Sequence, residues 1–247
     1  MGALRGLVRP PKRNAVLFRV ILAVGTALMP AVAWAAKATL SPRTVILPIG
    51  GLQLPVGVSG ELLYTLRAGQ ADIDGRLAAD LASAQKQATP LLAALFDRRQ
   101  PCGERLAVRS GQLGARGTAL AVQATVDYGR TACIAGQEMK ILPRALYDVE
   151  MLLHPVVGSR SLRLQAEVLT LRRRDGQLPA TIDMALRDLL GSLIGQRIGE
   201  LFPAAVPADL RLQSLSFDEE EPGRLAAKLR ASGSIPQAMF DQLAPRR

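Results

Sequence analysis

Apolar and polar residues alternate over most of the chain, which is the pattern of β-strands with one buried face and one wet face. The alternation is clearest in residues 119–128, where Val122 and Val126 lie on one face and Gln123 and Asp127 on the other. Such a strand fits an antiparallel sheet that packs against a core on one side only. The pattern therefore predicts an antiparallel sheet.

Three pairs of alternating segments follow one another closely enough to form hairpins. They cover residues 104–128, 145–171 and 210–235, and a further strand is predicted within 60–69. Strands of about ten residues are long compared with the usual five or six. We expect such long strands in a chain of this size to build an extended and strongly curved sheet.

The pattern changes to a helical period between Asp74 and Leu95. Asp72 or Asp74 is expected to cap this helix, and Pro90 is expected to kink it or to split off its last turn. Apolar residues recur there at the three- and four-residue spacing of an amphipathic helix, at Leu77, Leu81, Ala84, Ala88, Leu91 and Leu95.

A second helix is predicted at 181–202, with Thr181 as its cap, and it carries glycine at every fourth position. Glycine costs about 1 kcal/mol relative to alanine inside a helix, so Gly191, Gly195 and Gly199 need a reason. The stripe favours close packing against the first helix or a strand. The alternatives are the lining of a groove for an apolar ligand and drift on an exposed face.

The first 35 residues have the three-part layout of a secretory signal peptide. Basic residues without acids come first, an apolar run follows Arg19, and Ala33 and Ala35 occupy the positions that a signal peptidase requires. We expect cleavage after Ala35 and export, most simply to a Gram-negative periplasm. The alternative is an uncleaved anchor, for which the apolar run is short and rich in alanine.

The charge balance does not favour nucleic acid as a partner. Five of the 31 basic residues lie in the signal segment, which leaves 26 basic against 21 acidic groups and a net charge of +5. Binding of DNA or RNA requires a larger basic excess, and aromatic side chains on which bases could stack are scarce.

Cys102 and Cys133 are the two cysteines of the chain, and both lie in the exported part. In an oxidising compartment an even pair indicates one disulfide. Closing a loop of about thirty residues would stabilise the fold by roughly 3–4 kcal/mol. No metal site is expected, because His154 is the single histidine.

The sequence contains no convincing catalytic set. A nucleophile motif such as G-x-S-x-G, a glycine-rich phosphate loop and zinc-ligand spacing are all missing. His154 is interpreted as an ordinary residue at the end of a strand, and a hydrolase-type role is the weaker alternative. We therefore expect a protein that is not an enzyme and that uses no cofactor.

Arg172, Arg173 and Arg174 form a basic turn before Gly176. Such a run could contact anionic headgroups at a membrane surface, with around 1 kcal/mol from each basic group. The simpler interpretation is a solvated turn.

The order of these elements resembles the tubular lipid-binding (TULIP-like) superfamily, and more narrowly its small bacterial envelope proteins. The resemblance covers residues 43–235, with a helix, long antiparallel strands and the stretch ATIDMALRDLLGSLIGQRIGELFPAAVPADLRLQSLSFDEEEPGRLAAKLRASGSI. The segments CGERLAVRSG and YGRTAC are also similar. It implies an α+β fold in which a long, strongly curved antiparallel sheet wraps around one long amphipathic helix, with a second, shorter helix.

The resemblance also implies a groove between helix and sheet, lined by aliphatic side chains. The predicted function is non-catalytic binding of a lipid or another apolar ligand in that groove. The alternative is an envelope scaffold or assembly factor that has a filled core and binds another protein through a sheet edge or the basic turn. The expected lining is Leu186, Leu190, Gly191, Leu193, Ile194, Gly195, Ile198 and Gly199 from the helix and Val122, Val126, Leu164 and Val168 from the strands.

The predicted organisation is a signal peptide at 1–35, an extended lead-in at 36–58, one domain at 59–236 and a tail at 237–247. Prolines and glycines break the lead-in into short runs, which is typical of an edge strand or an extended segment. The tail is expected to form a short helix.

Overall fold

The computed structural model describes residues 36–49, 51–67, 69–99, 102–134, 137–158, 162–177, 180–199 and 209–243. The predicted signal peptide lies outside the described residues. The strands within them are β1 (Ala36–Ile49), β2 (Leu52–Arg67), β3 (Gln70–Asp80), β4 (Arg98–Arg99), β5 (Gly103–Arg116), β6 (Ala119–Ile134), β7 (Gln137–Val157), β8 (Leu162–Arg173), β9 (Leu210–Glu219) and β10 (Leu225–Pro236). The helices are α1 (Ala82–Lys86), α2 (Ala88–Phe96), α3 (Ala180–Gly199) and α4 (Gln237–Leu243).

The described strands form two antiparallel sheets instead of one. Sheet A has five strands in the order β1-β2-β3-β10-β9, and sheet B has five in the order β4-β5-β6-β7-β8. The predicted α+β class, with one curved sheet wrapped around a long helix, is therefore wrong. Within the described ranges the protein is mostly β, and its longest helix packs beside sheet B without being enclosed by strands.

The error begins at β3, where the sequence predicts the start of a helix. Leu77 and Leu81 are four residues apart, and that even spacing fits one face of a strand as well as one face of a helix. This segment forms a strand because β3 pairs along its length with β2 on one side and with β10 on the other. The helix begins only at Ala82, whose N–H donates to Oδ1 of Asp80 at 2.9 Å, so Asp72 and Asp74 do not cap it.

The helical segment is split at Gln87 into α1 and α2. Pro90 lies in the first turn of α2, and its ring nitrogen has no hydrogen to donate to the preceding turn. The helix is therefore interrupted before Pro90, and the nine residues of α2 that follow the break are more than the single last turn that was predicted.

The region expected to be an extended lead-in forms a hairpin of sheet A. Its first strand, β1, is an edge strand, and its register against β2 shifts between Leu40 and Arg43. Pro42 lies at this irregularity, where a missing N–H disturbs the ladder least. The rest of the segment enters β2, which lies between β1 and β3.

The three predicted hairpins are confirmed as β5–β6, β7–β8 and β9–β10, and the tail forms α4. The disulfide is also confirmed: Cys102 and Cys133 are bonded, with their Cα atoms 5.5 Å apart. It closes the open end of the β5–β6 hairpin, beside the pairing of Gly103 with Thr131.

Helix α3 is fixed to the edge of sheet B by Arg187. Its Nη1 donates to the carbonyl oxygens of Val168 at 3.0 Å and of Leu169 at 3.3 Å, next to a register shift between β7 and β8. The helix begins at Ala180, so Thr181 lies inside its first turn and is not the cap. Among the described residues, no helix is long and apolar enough to cross a membrane.

A polar joint connects the two sheets. Gln85 on α1 donates to the carbonyl oxygen of Leu113 on β5 at 2.9 Å and to Oε1 of Glu219 on β9 at 2.8 Å. Its own Oε1 accepts from the N–H of Leu225 on β10 at 3.1 Å. The N–H of Phe217 also donates to the carbonyl oxygen of Thr118 at 3.0 Å. One amide side chain thus ties a strand of sheet B to two strands of sheet A.

Candidate functional site

The helix–sheet interface predicted as a ligand groove is a packed core. Helices α2 and α3 cover one face of sheet B, and Leu92 from α2 joins the buried cluster. The core brings together Leu186, Leu190, Val122, Val126 and Leu164, all buried, with Val168 partly buried against them.

Only a small cavity is described in this core. It measures about 30 Å³ and lies between the two helices and the sheet, where Leu92, Val122 and Leu190 are among its apolar lining. Ligand pockets usually measure about 300–1,000 Å³. The cavity is therefore far smaller than an acyl chain, and the predicted lining residues do not enclose a groove.

The glycine stripe of α3 is not explained by close packing at Gly191. Among the described residues, a Cβ atom built on Gly191 would meet no heavy atom within 4 Å outside its own helix. None of the described residues therefore needs the space left by this glycine. The surroundings of Leu193, Ile194, Gly195, Ile198 and Gly199 lie outside the described residues.

Sheet A carries an apolar face that was not predicted from the sequence, because the segment of β3 was expected to be helical. Residues directly opposite in an antiparallel pair lie on the same face, and Val58 is opposite Ala79 while Leu77 is opposite Leu229. We call the middle of this surface the open face. It consists of Leu40, Val45, Val58, Leu62, Leu77, Leu212, Leu229 and Ala231.

Helices of the described chain cover the two ends of this sheet, and part of its β9 and β10 side, with Phe217 and Leu225, packs into the core of sheet B. The open face lies between these covered regions. At one end Leu91 of α2 packs with Leu54 of β2. At the other end Phe240 of α4 packs with Ile235, and the ring centroids of Phe240 and Tyr64 are 4.5 Å apart. All residues of the open face except Leu62 are partly exposed, and none belongs to either end cluster.

Two glycines keep the open face shallow. A Cβ atom on Gly75 would lie 2.8 Å from Cδ2 of Leu62, and one on Gly60 would lie 2.9 Å from Cδ2 of Leu77. Each leucine therefore lies over a glycine of the neighbouring strand. The open face is therefore a shallow aliphatic surface, because these leucine side chains lie flat over the glycines.

The opposite face of sheet A is polar. Lys37 pairs with Glu61 at 2.7 Å, and Nη2 of Arg230 lies 2.7 Å from Oδ2 of Asp74. The hydrogen bond from Arg230 holds the pKa of Asp74 below its usual value. One side of sheet A is thus suited to water and the other to apolar contact.

The residues considered for other chemistry lie away from the open face. Nε2 of His154 is 2.8 Å from Oε2 of Glu167 on the exposed surface of sheet B. Of the three arginines predicted to form a basic turn, Arg172 and Arg173 end strand β8 and only Arg174 follows it. Arg173 binds Asp175 and Arg174 binds Asp148, each at 2.8 Å, whereas Arg172 is exposed. The open face is aliphatic and offers contact area, and Arg43, which is opposite Val58 on the edge strand β1, adds a basic group at its rim.

Comparisons of the chain with protein-family models, with curated proteins and with solved structures found no match. The resemblance to the TULIP-like superfamily therefore stays a prediction. Function has to be inferred from the geometry and chemistry of the open face.

Proposed function

We propose that the protein is an exported, non-catalytic binding protein that holds a fatty acyl chain or a similar amphiphile on the open face of sheet A. The observation that carries the proposal is an aliphatic face that extends over five strands and stays partly exposed between helices at its ends and the part of β9 and β10 that packs on sheet B. Exposed apolar patches on soluble proteins mark interaction or ligand sites. Aliphatic side chains suit a flexible hydrocarbon chain better than a planar ligand.

The size of the open face supports this choice of ligand. Strands lie about 4.8 Å apart, so five of them span about 19 Å, comparable to an extended fatty acyl chain. Burial of each methylene contributes about 0.8 kcal/mol before the costs of association. Micromolar binding is therefore expected for a chain that crosses most of the sheet.

The disulfide supports the exported part of the proposal. Disulfides persist in oxidising compartments and are rare in the cytosol, and Cys102–Cys133 is formed. Passage through a periplasm, cleavage after Ala35 and contact of the basic turn with a membrane surface belong to the same proposal.

A fluorescent fatty acid titrated into the protein tests the open face directly. Val58→Glu places a charge on the open face, whereas Leu63→Glu places the same charge on the polar face of the same strand, where Leu63 is 48% exposed. We expect Val58→Glu to weaken binding by at least about tenfold, or about 1.4 kcal/mol, and Leu63→Glu to leave it unchanged.

Equal affinities for the two variants would exclude the open face as the site. If Val58→Glu does not fold, Val58→Thr serves as the milder variant, with the same expected direction. Native mass spectrometry of the protein from its own host is the second test, and a co-purifying lipid is expected there.

A second candidate function is that of a scaffold that binds another protein. The filled core of sheet B favours it, as does β1, which lies at the edge of sheet A. Pro42, Pro48 and the irregularity after Leu40 protect parts of this edge against strand addition. One stoichiometric protein partner without bound lipid, together with no fatty-acid binding, would favour this function over the first.

A further inference from the structure

Two arginines meet one nearly buried aspartate on the outer face of sheet B. The side chain of Asp127 on β6 is only 12% exposed, although the sequence analysis assigned it to a wet face. Nη2 of Arg109 donates to Oδ2 of Asp127 at 2.6 Å. Nε of Arg144 donates to Oδ1 at 3.0 Å, and its Nη2 donates to Oδ2.

Local irregularities of the backbone bring these side chains together. The register of β5 against β6 shifts between Val108 and Ser110, which leaves Arg109 unpaired in the ladder. On the other side, a Cβ atom on Gly129 would lie 2.7 Å from Cγ of Arg144. Gly129 therefore gives Arg144 room to cross β6 and reach the carboxylate.

The cluster has more positive than negative charge. Burial by itself would raise the pKa of Asp127, but the hydrogen bonds from Arg144 and Arg109 outweigh it and hold the pKa below its usual value. The carboxylate is therefore ionised at neutral pH. Two guanidinium groups share this single charge, so one positive charge is left over.

The neighbouring pair does not cancel that excess. Asp148 on β7 accepts hydrogen bonds from Arg174 and from Thr125, each at 2.9 Å, and is opposite Arg172 on β8. Taken together, the four arginines and two aspartates of this surface carry a net charge of +2. The outer face of sheet B is therefore locally cationic.

Both arginines retain donors that face water. The side chains of Arg109 and Arg144 are 56% and 54% exposed. In the described part of the chain, Arg109 donates through Nη2 alone, so its Nε and Nη1 are available to a ligand.

We propose that Arg109 and Arg144 form a binding site for a phosphate-class anion, supplied either by a soluble phosphate ester or by a lipid headgroup. Guanidinium groups bind phosphate oxygens through paired N–H donors. Asp127 is a positioning residue, because both guanidinium groups donate to its carboxylate and are held next to each other by it. The site is on the other sheet from the open face and does not depend on ligand binding there.

The test uses the full exported protein with two probes at low ionic strength. Inorganic pyrophosphate represents the soluble anion, and phosphatidylglycerol vesicles, compared with phosphatidylcholine vesicles, represent the headgroup. Arg109→Gln removes one guanidinium and keeps the Arg144–Asp127 pair, so the fold should be retained. The matched control is Arg116→Gln, because Arg116 is on the same sheet and pairs with Glu150 at 3.3 Å.

We expect Arg109→Gln to weaken binding of at least one probe by about tenfold or more, while Arg116→Gln binds as the wild type does. A loss confined to pyrophosphate identifies a soluble ligand, and a loss confined to phosphatidylglycerol identifies a headgroup. The double variant Arg144→Gln with Asp127→Asn, which removes a paired cation and anion, should show the same loss. Equal weakening by Arg116→Gln, or no binding of either probe, would overturn the proposal.

Discussion

Sheets A and B are alike in strand number and direction, but they differ in what covers their apolar faces. Sheet B packs against α2 and α3 with a cavity of only about 30 Å³. Sheet A has described helices only at its two ends. The apolar face of sheet B is covered, in part by Phe217 and Leu225 of sheet A, whereas sheet A keeps a partly exposed apolar surface between its covered ends.

The sheet edges differ in the same way. Along the edge of β5 in sheet B, side-chain oxygens accept hydrogen bonds from backbone N–H groups, as the carbonyl groups of a neighbouring strand would. Oδ1 of Asp97 accepts from the N–H of Val108 at 2.8 Å, Oγ1 of Thr89 from Gly111 at 2.9 Å, and Oε2 of Glu219 from Ala115 at 3.3 Å. Edge β1 of sheet A relies on prolines and an irregularity instead. The apolar face of sheet B is thus covered, and these backbone N–H groups at the edge of β5 have hydrogen-bond acceptors within the protein.

The largest expected effect comes from truncating one leucine in each sheet. Leu190→Ala in the core of sheet B should lower the free energy of unfolding by about 2–5 kcal/mol, because it enlarges a buried cavity. Leu229→Ala on the open face should cost only about 1 kcal/mol, because Leu229 is partly exposed. Chemical denaturation of both variants measures the two losses in free energy of unfolding. Equal losses would contradict the difference between the two sheets.

Alkaline pH should weaken sheet B through Tyr128. Burial raises the pKa of Tyr128 to about 12, so its phenol ionises in the unfolded chain before it does so in the folded one. Its contribution is fully present below about pH 10 and is lost as pH rises toward 12, on the order of 2 kcal/mol.

Unfolding midpoints measured from pH 9 to pH 12 check this expectation. Tyr128→Phe should flatten the decline. If the variant declines as steeply as the wild type, Tyr128 is not the group responsible.

The smallest expected effect is a gain in stability at Tyr147. Its hydroxyl is buried and has no hydrogen-bond partner among the residues that the structure describes, which costs roughly 1–3 kcal/mol. Tyr147→Phe removes the hydroxyl and keeps the ring, so we expect the free energy of unfolding to rise by about 1 kcal/mol. Tyr147→Leu is the control, since it loses ring packing and should destabilise. A clear loss in Tyr147→Phe would show that the hydroxyl has a partner in solution.

The hairpins and the disulfide could be predicted because their signals are local. Strict alternation and a short turn define β5–β6, and Cys102 and Cys133 flank that hairpin. The candidate site could not be predicted, because it depends on β3. Leucine spacing alone does not separate a strand from a helix there, and the pairing of β3 with β10 joins residues about 150 positions apart.

Asp127 illustrates the same limit on a single residue. Its position in the alternation predicts an exposed side chain, but Arg109 and Arg144 reach over it from the neighbouring strands. A bulge and a glycine make that possible, and neither has a signature in the two-residue period.

The sequence alone determined the three hairpins, the disulfide and the terminal helix, because each rests on neighbours along the chain. Tertiary structure decided that the strands divide into two sheets, that α3 packs on sheet B without a groove between them, and that the open face belongs to sheet A. Those outcomes follow from which apolar surfaces meet after long-range pairing, and a linear pattern of apolar residues does not specify the partner that will cover them.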